Sequence, residues 1–363
     1  MPHRAKRSGG AGAALFACAL ALGVCGPVAH ASKVPQGRTL IIAGAGEGHG
    51  VGMSQDGALG LAEHGYSYAQ ILAHYYTGTA LGLVPRAKKK VRVLLGNRVV
   101  AVPLERYVRG VVSAEVSPTW PMAALEAQAV ASRTYALTDH AGGSSFDVYG
   151  DTRSQVYGGR TAETRRTNTA VAATAGQVVT YQGRPVITYF FASSGGMTEN
   201  IEDAWPGTEA EPWLRGVQDP YEGRGHPWAL RMSFAHAASL LSGLVRGRFE
   251  GIEVLQRGYS PRVVSANVLG SRGATRISGL ELAERLGLVS SWVHFSVGSG
   301  GGVHAEPDRS DYTTPPPGST PQPAPGGGAA GGASPTPPPS SEHGGSSSGL
   351  VADPGGGVSA AGG

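Results

Sequence analysis

The most restrictive feature of this sequence is a glycine- and proline-rich segment near its C-terminal end. Residues 301–363 contain 16 Gly and 12 Pro, and both residue types interrupt helices and strands. Large apolar side chains are almost absent there, so the segment cannot bury enough surface to order itself. We therefore predict a disordered tail over residues 299–363. About 270 residues are left to fold, enough for one large domain or two small ones.

The N-terminal segment has the pattern of an export signal. Three basic residues at positions 4, 6 and 7 precede an apolar stretch over 11–24 and the tripeptide Ala29-His30-Ala31, which is typical of a cleavage site. We predict a signal peptide over residues 1–31 and a secreted mature protein. A lipoprotein anchored at Cys25 is the alternative, which Val24 directly before that cysteine disfavours. No later apolar run approaches the roughly 20 residues that span a bilayer, so we predict no transmembrane helix in the mature chain.

Several classes of protein are excluded by what the remaining chain lacks. Both cysteines, Cys18 and Cys25, lie inside the predicted signal, which excludes disulfides, thiolate nucleophiles and cysteine-ligated zinc from the mature chain. The formal net charge is only +4, and no basic run is interleaved with aromatic residues, so we predict no nucleic-acid partner. The histidines form no H-E-x-x-H motif, and Ser193-Ser194-Gly195-Gly196 does not match a nucleophile elbow.

Helix and strand patterns alternate along the remaining chain and predict an α+β fold with mixed, largely antiparallel sheets and packed helices. The predicted strands span 39–43, 91–95, 98–102, 177–181, 185–192, 252–256, 262–268 and 292–297. The predicted helices span 53–63, 67–76, 103–114, 121–138, 161–174, 233–241 and 280–286. Gly96-Asn97 and Gln182-Gly183 indicate hairpin turns, and the spacing of Ser67 and Gln70 indicates a capping box.

One carboxyl group stands on the apolar stripe of a predicted helix. Glu115 continues the helical spacing of the apolar residues in 104–112, and Pro118 ends that helix, which leaves Glu115 in its last turn. Burial and the negative end of the helix dipole both disfavour the charged carboxylate and raise its pKa, as a general acid requires. The N-terminus of the next predicted helix, at Pro121, would favour the anion if it pointed at Glu115. The spacing alone leaves a second interpretation open, in which Glu115 forms a structural salt bridge with Arg133.

The following predicted helix carries polar groups on a stripe that otherwise faces the core. Gln128, Ser132 and Tyr135 share this stripe with alanine and leucine residues. Buried polar groups need hydrogen-bond partners. Those partners are either other core groups or a polar ligand such as a sugar.

Five blocks of the sequence together resemble one protein family. The first begins with Gly48-His49-Gly50-Val51-Gly52-Met53-Ser54-Gln55, and the blocks span 48–79, 107–136, 151–159, 193–205 and 278–288. They resemble the SpoIID/LytB family, which contains stage II sporulation protein D and the amidase enhancer. The resemblance covers roughly residues 40–297 and implies a single domain over 32–298 with an α+β fold.

The resemblance implies a bacterial cell-wall protein whose ligand is the glycan strand of peptidoglycan. One branch of the family is implied to be lytic, cleaving between N-acetylmuramate and N-acetylglucosamine, and the catalytic glutamate of that branch falls on Glu115. The muramate 6-hydroxyl then serves as the nucleophile, so a single carboxyl group suffices where ordinary glycosidases use two. The alternative is a non-catalytic, wall-binding enhancer of an N-acetylmuramoyl-L-alanine amidase. A surface adhesin with the tail as a stalk is a weaker third hypothesis.

On this resemblance the glycan groove is predicted to be lined by nine further side chains. Arg133 would hold a muramate carboxylate or orient Glu115, and the two tyrosines would stack on sugar rings. The predicted substrate-binding residues are His49, Gln55, Gln128, Arg133, Tyr135, Gln155, Tyr157, Ser193 and Ser194.

The sequence also departs from the family pattern in ways that carry predictions. Some members hold zinc with Cys and His after the second helix, whereas residues 140–157 contain one His and no Cys, so we predict no metal and no cofactor. Asp56 replaces a usual aromatic residue, and Ala283 replaces a usual arginine. The block that begins at Gly48 commonly closes the domain but opens it here. A circular permutation explains this order and predicts that the strand over 39–43 lies beside the strand over 292–297.

Overall fold

The computed structural model describes residues 37–84, 90–223 and 225–298. The predicted signal peptide over 1–31 and the predicted tail over 299–363 lie outside the described residues. Helices alternate with mostly antiparallel strands along the described chain, which confirms the predicted α+β fold. No helix within the described ranges is long and apolar enough to cross a membrane.

The bounds of the elements follow the sequence patterns in most places. The strands are β1 (Thr39–Gly44), β2 (Met53–Ser54), β3 (Ala80–Leu83), β4 (Lys90–Leu95), β5 (Arg98–Pro103), β6 (Val148–Tyr149), β7 (Gln177–Tyr181), β8 (Arg184–Pro185), β9 (Phe190–Phe191), β10 (Trp228–Ser233), β11 (Phe249–Arg257), β12 (Val263–Gly270), β13 (Gly273–Ser278) and β14 (Val293–Gly298). The helices are α1 (Gln55–Glu63), α2 (Tyr68–Tyr75), α3 (Leu104–Glu115), α4 (Met122–Thr138), α5 (Gly159–Ala162), α6 (Arg165–Ala173), α7 (Ile201–Ala204), α8 (Phe234–Leu240) and α9 (Gly279–Leu286).

The two ends of the described chain meet in one sheet. Strand β1 lies between β10 and β14, and its antiparallel register with β14 runs from Thr39 opposite Gly298 to Gly44 opposite Val293. Leu40 and Ile42 of β1 are completely buried in a core that β11, β12, β13, α8 and α9 complete. The prediction that the first strand lies beside the last is therefore confirmed. The two ends of the described chain are neighbours, as a circular permutation requires.

Helix α4 is buried on all sides and forms the centre of the rest of the domain. Every residue from Ala124 to Ala136 except Glu126 is buried. Its many alanines let α1, α2, α3, α6 and β7 all approach it. The sequence analysis assigned only one face of this helix to the core. A helix surrounded by neighbours has no single apolar stripe, so its periodicity understates its burial.

Two predicted elements are wrong in the structure, and local chemistry explains both. The helix predicted over 161–174 is broken into α5 and α6, because the Thr164 hydroxyl accepts a hydrogen bond from the Thr167 backbone N–H and begins a new helix. The strand predicted over 185–192 is interrupted after Pro185, which lacks a backbone N–H to donate. Its far end, β9, instead pairs in parallel with β2. This pairing fixes the chain just before Gln55.

The core between α3 and α4 contains a completely buried arginine. The Arg133 guanidinium donates from Nε and Nη2 to the Glu105 carboxylate at 2.9 and 2.8 Å. Its other N–H groups donate to the backbone carbonyls of Ala129, Val171 and Gln177 at 3.2–3.3 Å. All five guanidinium donors are thus used inside the protein. Helices α3, α4 and α6 and strand β7 converge on this side chain.

We expect Arg133→Leu to lower the free energy of unfolding by about 3–5 kcal/mol, because it leaves Glu105 and three carbonyls without their buried partner. Urea denaturation followed by circular dichroism measures this change. The matched control is Arg248→Leu, since Arg248 is 82% exposed and lies 3.5 Å from Glu250; exposed pairs contribute little to stability. Equal losses in the two variants would contradict this account.

Candidate active site

Glu115 is the last residue of α3, and its two carboxylate oxygens accept hydrogen bonds from different parts of the chain. Oε1 accepts from the Val156 backbone N–H at 2.6 Å, and Oε2 accepts from the Gln55 side-chain amide at 3.2 Å. Gln55 opens α1, and Val156 lies in the segment after β6. Three segments distant in the sequence therefore converge on this carboxyl group.

The surroundings of Glu115 favour its protonated form. Burial raises the pKa of Glu115 above its ordinary value, while the hydrogen bonds from Val156 and Gln55 oppose this shift and leave a net rise. Within residues 37–84, 90–223 and 225–298, no Lys, Arg or His forms an ion pair with Glu115. The salt bridge with Arg133 that the sequence left open is thus wrong, because that guanidinium is used by Glu105.

A buried polar network lies directly behind Glu115. The Gln55 amide nitrogen lies 3.5 Å from Gln128 Oε1, and the Gln128 amide donates to Ser132 Oγ at 3.0 Å. The Gln155 amide donates to the Ser132 backbone carbonyl at 3.2 Å. All four side chains are buried. Gln128 and Ser132 on the polar stripe of α4 therefore have hydrogen-bond partners in the core. Three of the predicted site residues, Gln55, Gln128 and Gln155, belong to this network beside Glu115.

The two predicted tyrosines differ in their exposure. Tyr157 is half-buried and stacks on Tyr107 with ring centroids 5.1 Å apart. Its ring lies so close to Gly110 that a Cβ there would approach it to 2.5 Å, so this position of α3 requires glycine. Tyr135 is only 6% exposed and contacts the ring of Tyr189. Of the two, Tyr157 is the one accessible to a ligand.

Arg133 does not reach Glu115 and has no N–H group left for a ligand. Because Glu105 and three carbonyls accept all five of its donors, the expectation that it lines a groove is wrong. Glu105 lies on the same helix as Glu115, ten positions earlier. Arg133 therefore pairs with the first of the two glutamates of α3 and not with Glu115.

Ser193 and Ser194 lie against a pair of carboxyl groups that the sequence analysis missed. Both hydroxyls donate to the Glu222 carboxylate, and Ser194 Oγ is also 3.0 Å from Asp219 Oδ2. Asp219 is buried and accepts from the Tyr75 hydroxyl at 2.9 Å. Burial, together with the charge of Glu222, raises the pKa of Asp219 to about 7. These contacts join loops that carry no periodic pattern, so no signal in the sequence indicated them.

The carboxyl pair and Glu115 are connected through the start of α1. Ser54 caps this helix by accepting from the Gly57 backbone N–H, and the next residue, Gln55, contacts Glu115. The Asp56 backbone N–H donates to the Ala192 carbonyl at 2.9 Å, directly before the two serines. The block that begins at Gly48 thus positions groups on both sides of α1.

His49 belongs to an aromatic cluster with Tyr189, Phe191 and Trp205, whose ring centroids lie 5.0–5.9 Å from the imidazole. Its Nδ1 accepts a hydrogen bond from the Val51 backbone N–H at 3.1 Å. Burial, followed by the nearby positive charge of Arg262, lowers the pKa of His49 to about 4. The neutral imidazole therefore packs among these rings and holds the glycine-rich loop.

Arg262 and Glu199 hold the segment over 193–199 from two sides. The buried Arg262 donates from Nη1 to the carbonyls of Ser194 and Met197, both at 3.1 Å. The buried Glu199 carboxylate accepts from the Tyr259 backbone N–H at 2.8 Å and the Ser260 hydroxyl at 2.7 Å. Burial raises the pKa of Glu199 to about 7. Within the part of the chain that the structure describes, no three His, Cys, Asp or Glu converge to hold a metal ion.

We expect the His49 imidazole to stay neutral from pH 8 down to about pH 5, whereas an unperturbed histidine titrates near pH 6.5. The unfolded chain would bind a proton at His49 between pH 6.5 and 4, so this site's contribution to stability is lost as the pH falls through that window. Proton NMR of the imidazole measures the titration, with His49→Gln to assign the resonance. A midpoint near 6.5 would contradict the described burial.

Part of the chain is similar in sequence to known proteins. Residues 96–181 match the family model described as stage II sporulation protein. Similar proteins include an uncharacterized protein of Brachyspira hyodysenteriae, 40% identical over 135 residues and 36% of each chain. Stage II sporulation protein D of Bacillus subtilis is 30% identical over 211 residues, which cover 52% of this chain and 59% of that protein.

The amidase enhancer of Bacillus subtilis is 35% identical over 129 residues, which are 35% of this chain and 17% of that protein. The chain thus spans 36% to 59% of the length of the first relatives and less of the enhancer. The matched region contains Glu115, Gln128 and Val156, the central groups of the site. By these matches and its motif blocks, the chain contains a region similar to stage II sporulation protein D and to the amidase enhancer.

Proposed function

We propose that this protein is a secreted, cell-wall-associated lytic transglycosylase that cleaves peptidoglycan glycan strands with Glu115 as its single acid and base. The match to the stage II sporulation protein family model and the amidase-enhancer relative support a cell-wall-related role. The observation that carries the catalytic proposal is the state of Glu115. Its pKa is raised by burial, no cation pairs with it among the described residues, and two N–H groups are directed at its oxygens.

The two oxygens of Glu115 suit different tasks in the first step. The Val156 backbone N–H cannot turn away from Oε1, since it is held at 2.6 Å by the chain itself. Oε2 accepts only the longer bond from Gln55 and keeps a lone pair for the acidic proton. We assign proton donation to the glycosidic oxygen to Oε2. As the bond to the leaving sugar breaks, both N–H groups stabilise the carboxylate that forms.

The second step uses the same carboxylate as a base. The muramate 6-hydroxyl attacks the oxocarbenium-like carbon of its own sugar, and its proton passes to Glu115. The products are a 1,6-anhydromuramate end and a new free glycan end, and Glu115 returns to its protonated form. Tyr157 is the proposed stacking platform for a sugar ring, and Gln55 the proposed polar contact beside the reacting bond.

We expect Glu115→Gln to reduce formation of anhydromuramate ends by about 10²–10⁴-fold, because the amide cannot donate the acidic proton. Purified glycan strands without stem peptides are digested, and the ends are measured by mass spectrometry. The matched control is Glu126→Gln on the next helix, which we expect to keep wild-type activity. No product from the wild type, or equal product from Glu115→Gln, would refute the proposal.

We also expect kcat/KM to fall as the pH rises through the pKa of Glu115, since only the protonated form donates. Because burial raises that pKa above the ordinary value of 4.5, the midpoint of the alkaline limb is expected above pH 4.5. Initial rates on the same glycan strands across pH 4–9 measure it. A midpoint at or below 4.5 would contradict the assigned role.

A second candidate function is a non-catalytic enhancer of an N-acetylmuramoyl-L-alanine amidase, and the relative named amidase enhancer favours it. In that case the protein would bind the wall and stimulate a partner amidase without cleaving glycan. The two functions separate in one assay, in which amidase activity on intact peptidoglycan is measured with the wild type and with Glu115→Gln. Stimulation by both proteins, together with no anhydromuramate from either, supports the enhancer.

A further inference from the structure

The amide of Gln55 is directed at two oxygen atoms at once. Its nitrogen lies 3.2 Å from Glu115 Oε2 and 3.5 Å from Gln128 Oε1. A primary amide carries two N–H groups, so one nitrogen can face both oxygens. A half-turn of this amide would instead bring its carbonyl oxygen against both of them. Glu115 and Gln128 therefore favour the same orientation of Gln55.

Glu115 Oε2 and Gln128 Oε1 no longer favour the same orientation of Gln55 once Glu115 takes up a proton. A protonated Oε2 can donate to a carbonyl oxygen, so Glu115 alone would then favour the turned amide of Gln55. Gln128 Oε1 has no proton in either state and continues to favour the N–H. Gln128 thus opposes the reorientation that protonation of Glu115 would otherwise promote.

The orientation of the Gln128 amide in the structure is set by its contacts with Ser132 and Gln55 together. Gln128 is 1% exposed, and its amide N–H donates to Ser132 Oγ, one helical turn further along, at 3.0 Å. A Gln128 amide that turned alone would set its N–H against the Gln55 N–H, so that two donors faced each other, although the Ser132 hydroxyl could then donate to the turned carbonyl oxygen. Because Gln128 is buried on a helix with neighbours on most sides, its side chain cannot turn out to water instead.

We propose that Gln128 is a positioning residue that keeps the Gln55 N–H directed at Glu115 Oε2 through both protonation states of the carboxyl group. This inference rests on the proposed role of Glu115. Its consequence is that the donor is already in place when the acidic proton leaves, so no side chain reorients during the step. Gln128 acts through Gln55 and does not touch the glycan.

The orientation of the Gln55 amide toward Glu115 Oε2 does not come from charged neighbours. Val156 contributes a backbone N–H, and Gln55 and Gln128 are neutral. Among the described residues, Tyr107 from the same helix is an ionisable side chain that interacts electrostatically with Glu115. Burial raises the pKa of Tyr107 well above its ordinary value, so it stays neutral wherever Glu115 titrates. A substitution of Gln128 therefore changes the orientation of the Gln55 amide and leaves the charges around Glu115 as they are.

The test is a direct titration of Glu115 in the full chain by NMR of glutamate labelled with ¹³C at the carboxyl carbon, with Glu115→Gln to assign its signal. In Gln128→Met the unbranched side chain fills a similar volume without a carbonyl oxygen. Gln55 is then able to turn and accept from protonated Glu115. We expect the pKa of Glu115 to rise by about one pH unit, and the alkaline limb of kcat/KM to move with it.

Thr134→Val is the matched control, because Thr134 is equally buried on α4 and its hydroxyl bonds to Val130 and Val179 rather than to Gln55. It is expected to leave the pKa of Glu115 unchanged. Ser132→Ala removes the group that orients Gln128 and is expected to raise the same pKa by less. It also provides the test if Gln128→Met does not fold.

An unchanged pKa of Glu115 in both Gln128→Met and Ser132→Ala would overturn the inference, as would an equal rise in Thr134→Val. Because the titration needs no turnover, it separates the two proposals. A shifted pKa without any anhydromuramate product would refute the catalytic function and leave the positioning role intact.

Discussion

The burial of α4 on nearly every side is the constraint on which the rest of the domain depends. A helix with neighbours on every side must satisfy each of its polar side chains inside the protein. Arg133 is satisfied by Glu105, Thr134 by the backbone of β7, and Gln128 by Ser132 and Gln55. Each of these partners belongs to a different element or turn of helix. The packing of α1, α3 and β7 is thus coupled to the polar side chains of one central helix.

The candidate site follows from the same constraint. Glu115 ends the helix that packs along α4, and Gln55 begins the helix that packs on another side of it. One hydrogen bond of 3.2 Å, from the Gln55 amide to Glu115 Oε2, joins the two helices. The family match over 96–181 contains Glu115 and Gln128 but not Gln55. Segments outside the matched region therefore complete the surroundings of the carboxyl group, and their placement depends on β2 and β9.

The sequence predicted features that arise from local periodicity and local hydrogen bonds. The position of Glu115 at the end of an apolar stripe, the capping box of Ser67 and Gln70, and the hairpin of β4 and β5 are confirmed. The partner of Arg133 could not be read from periodicity, because α3 presents two glutamates. The contacts of Ser194 with Asp219 and Glu222 depend on loops, where no repeating pattern relates sequence to position. Strand β10 was missed because most of its side chains are exposed.

The pairing of β1 with β14 has a topological consequence. Since Thr39 lies opposite Gly298, the described chain traces a nearly closed ring whose start and finish are neighbours. In such a ring the groups around Glu115 keep their mutual positions wherever the ring is opened, provided that the opening falls in a surface loop. The order of the blocks along the sequence then depends on where the ring is opened and not on how the site is arranged.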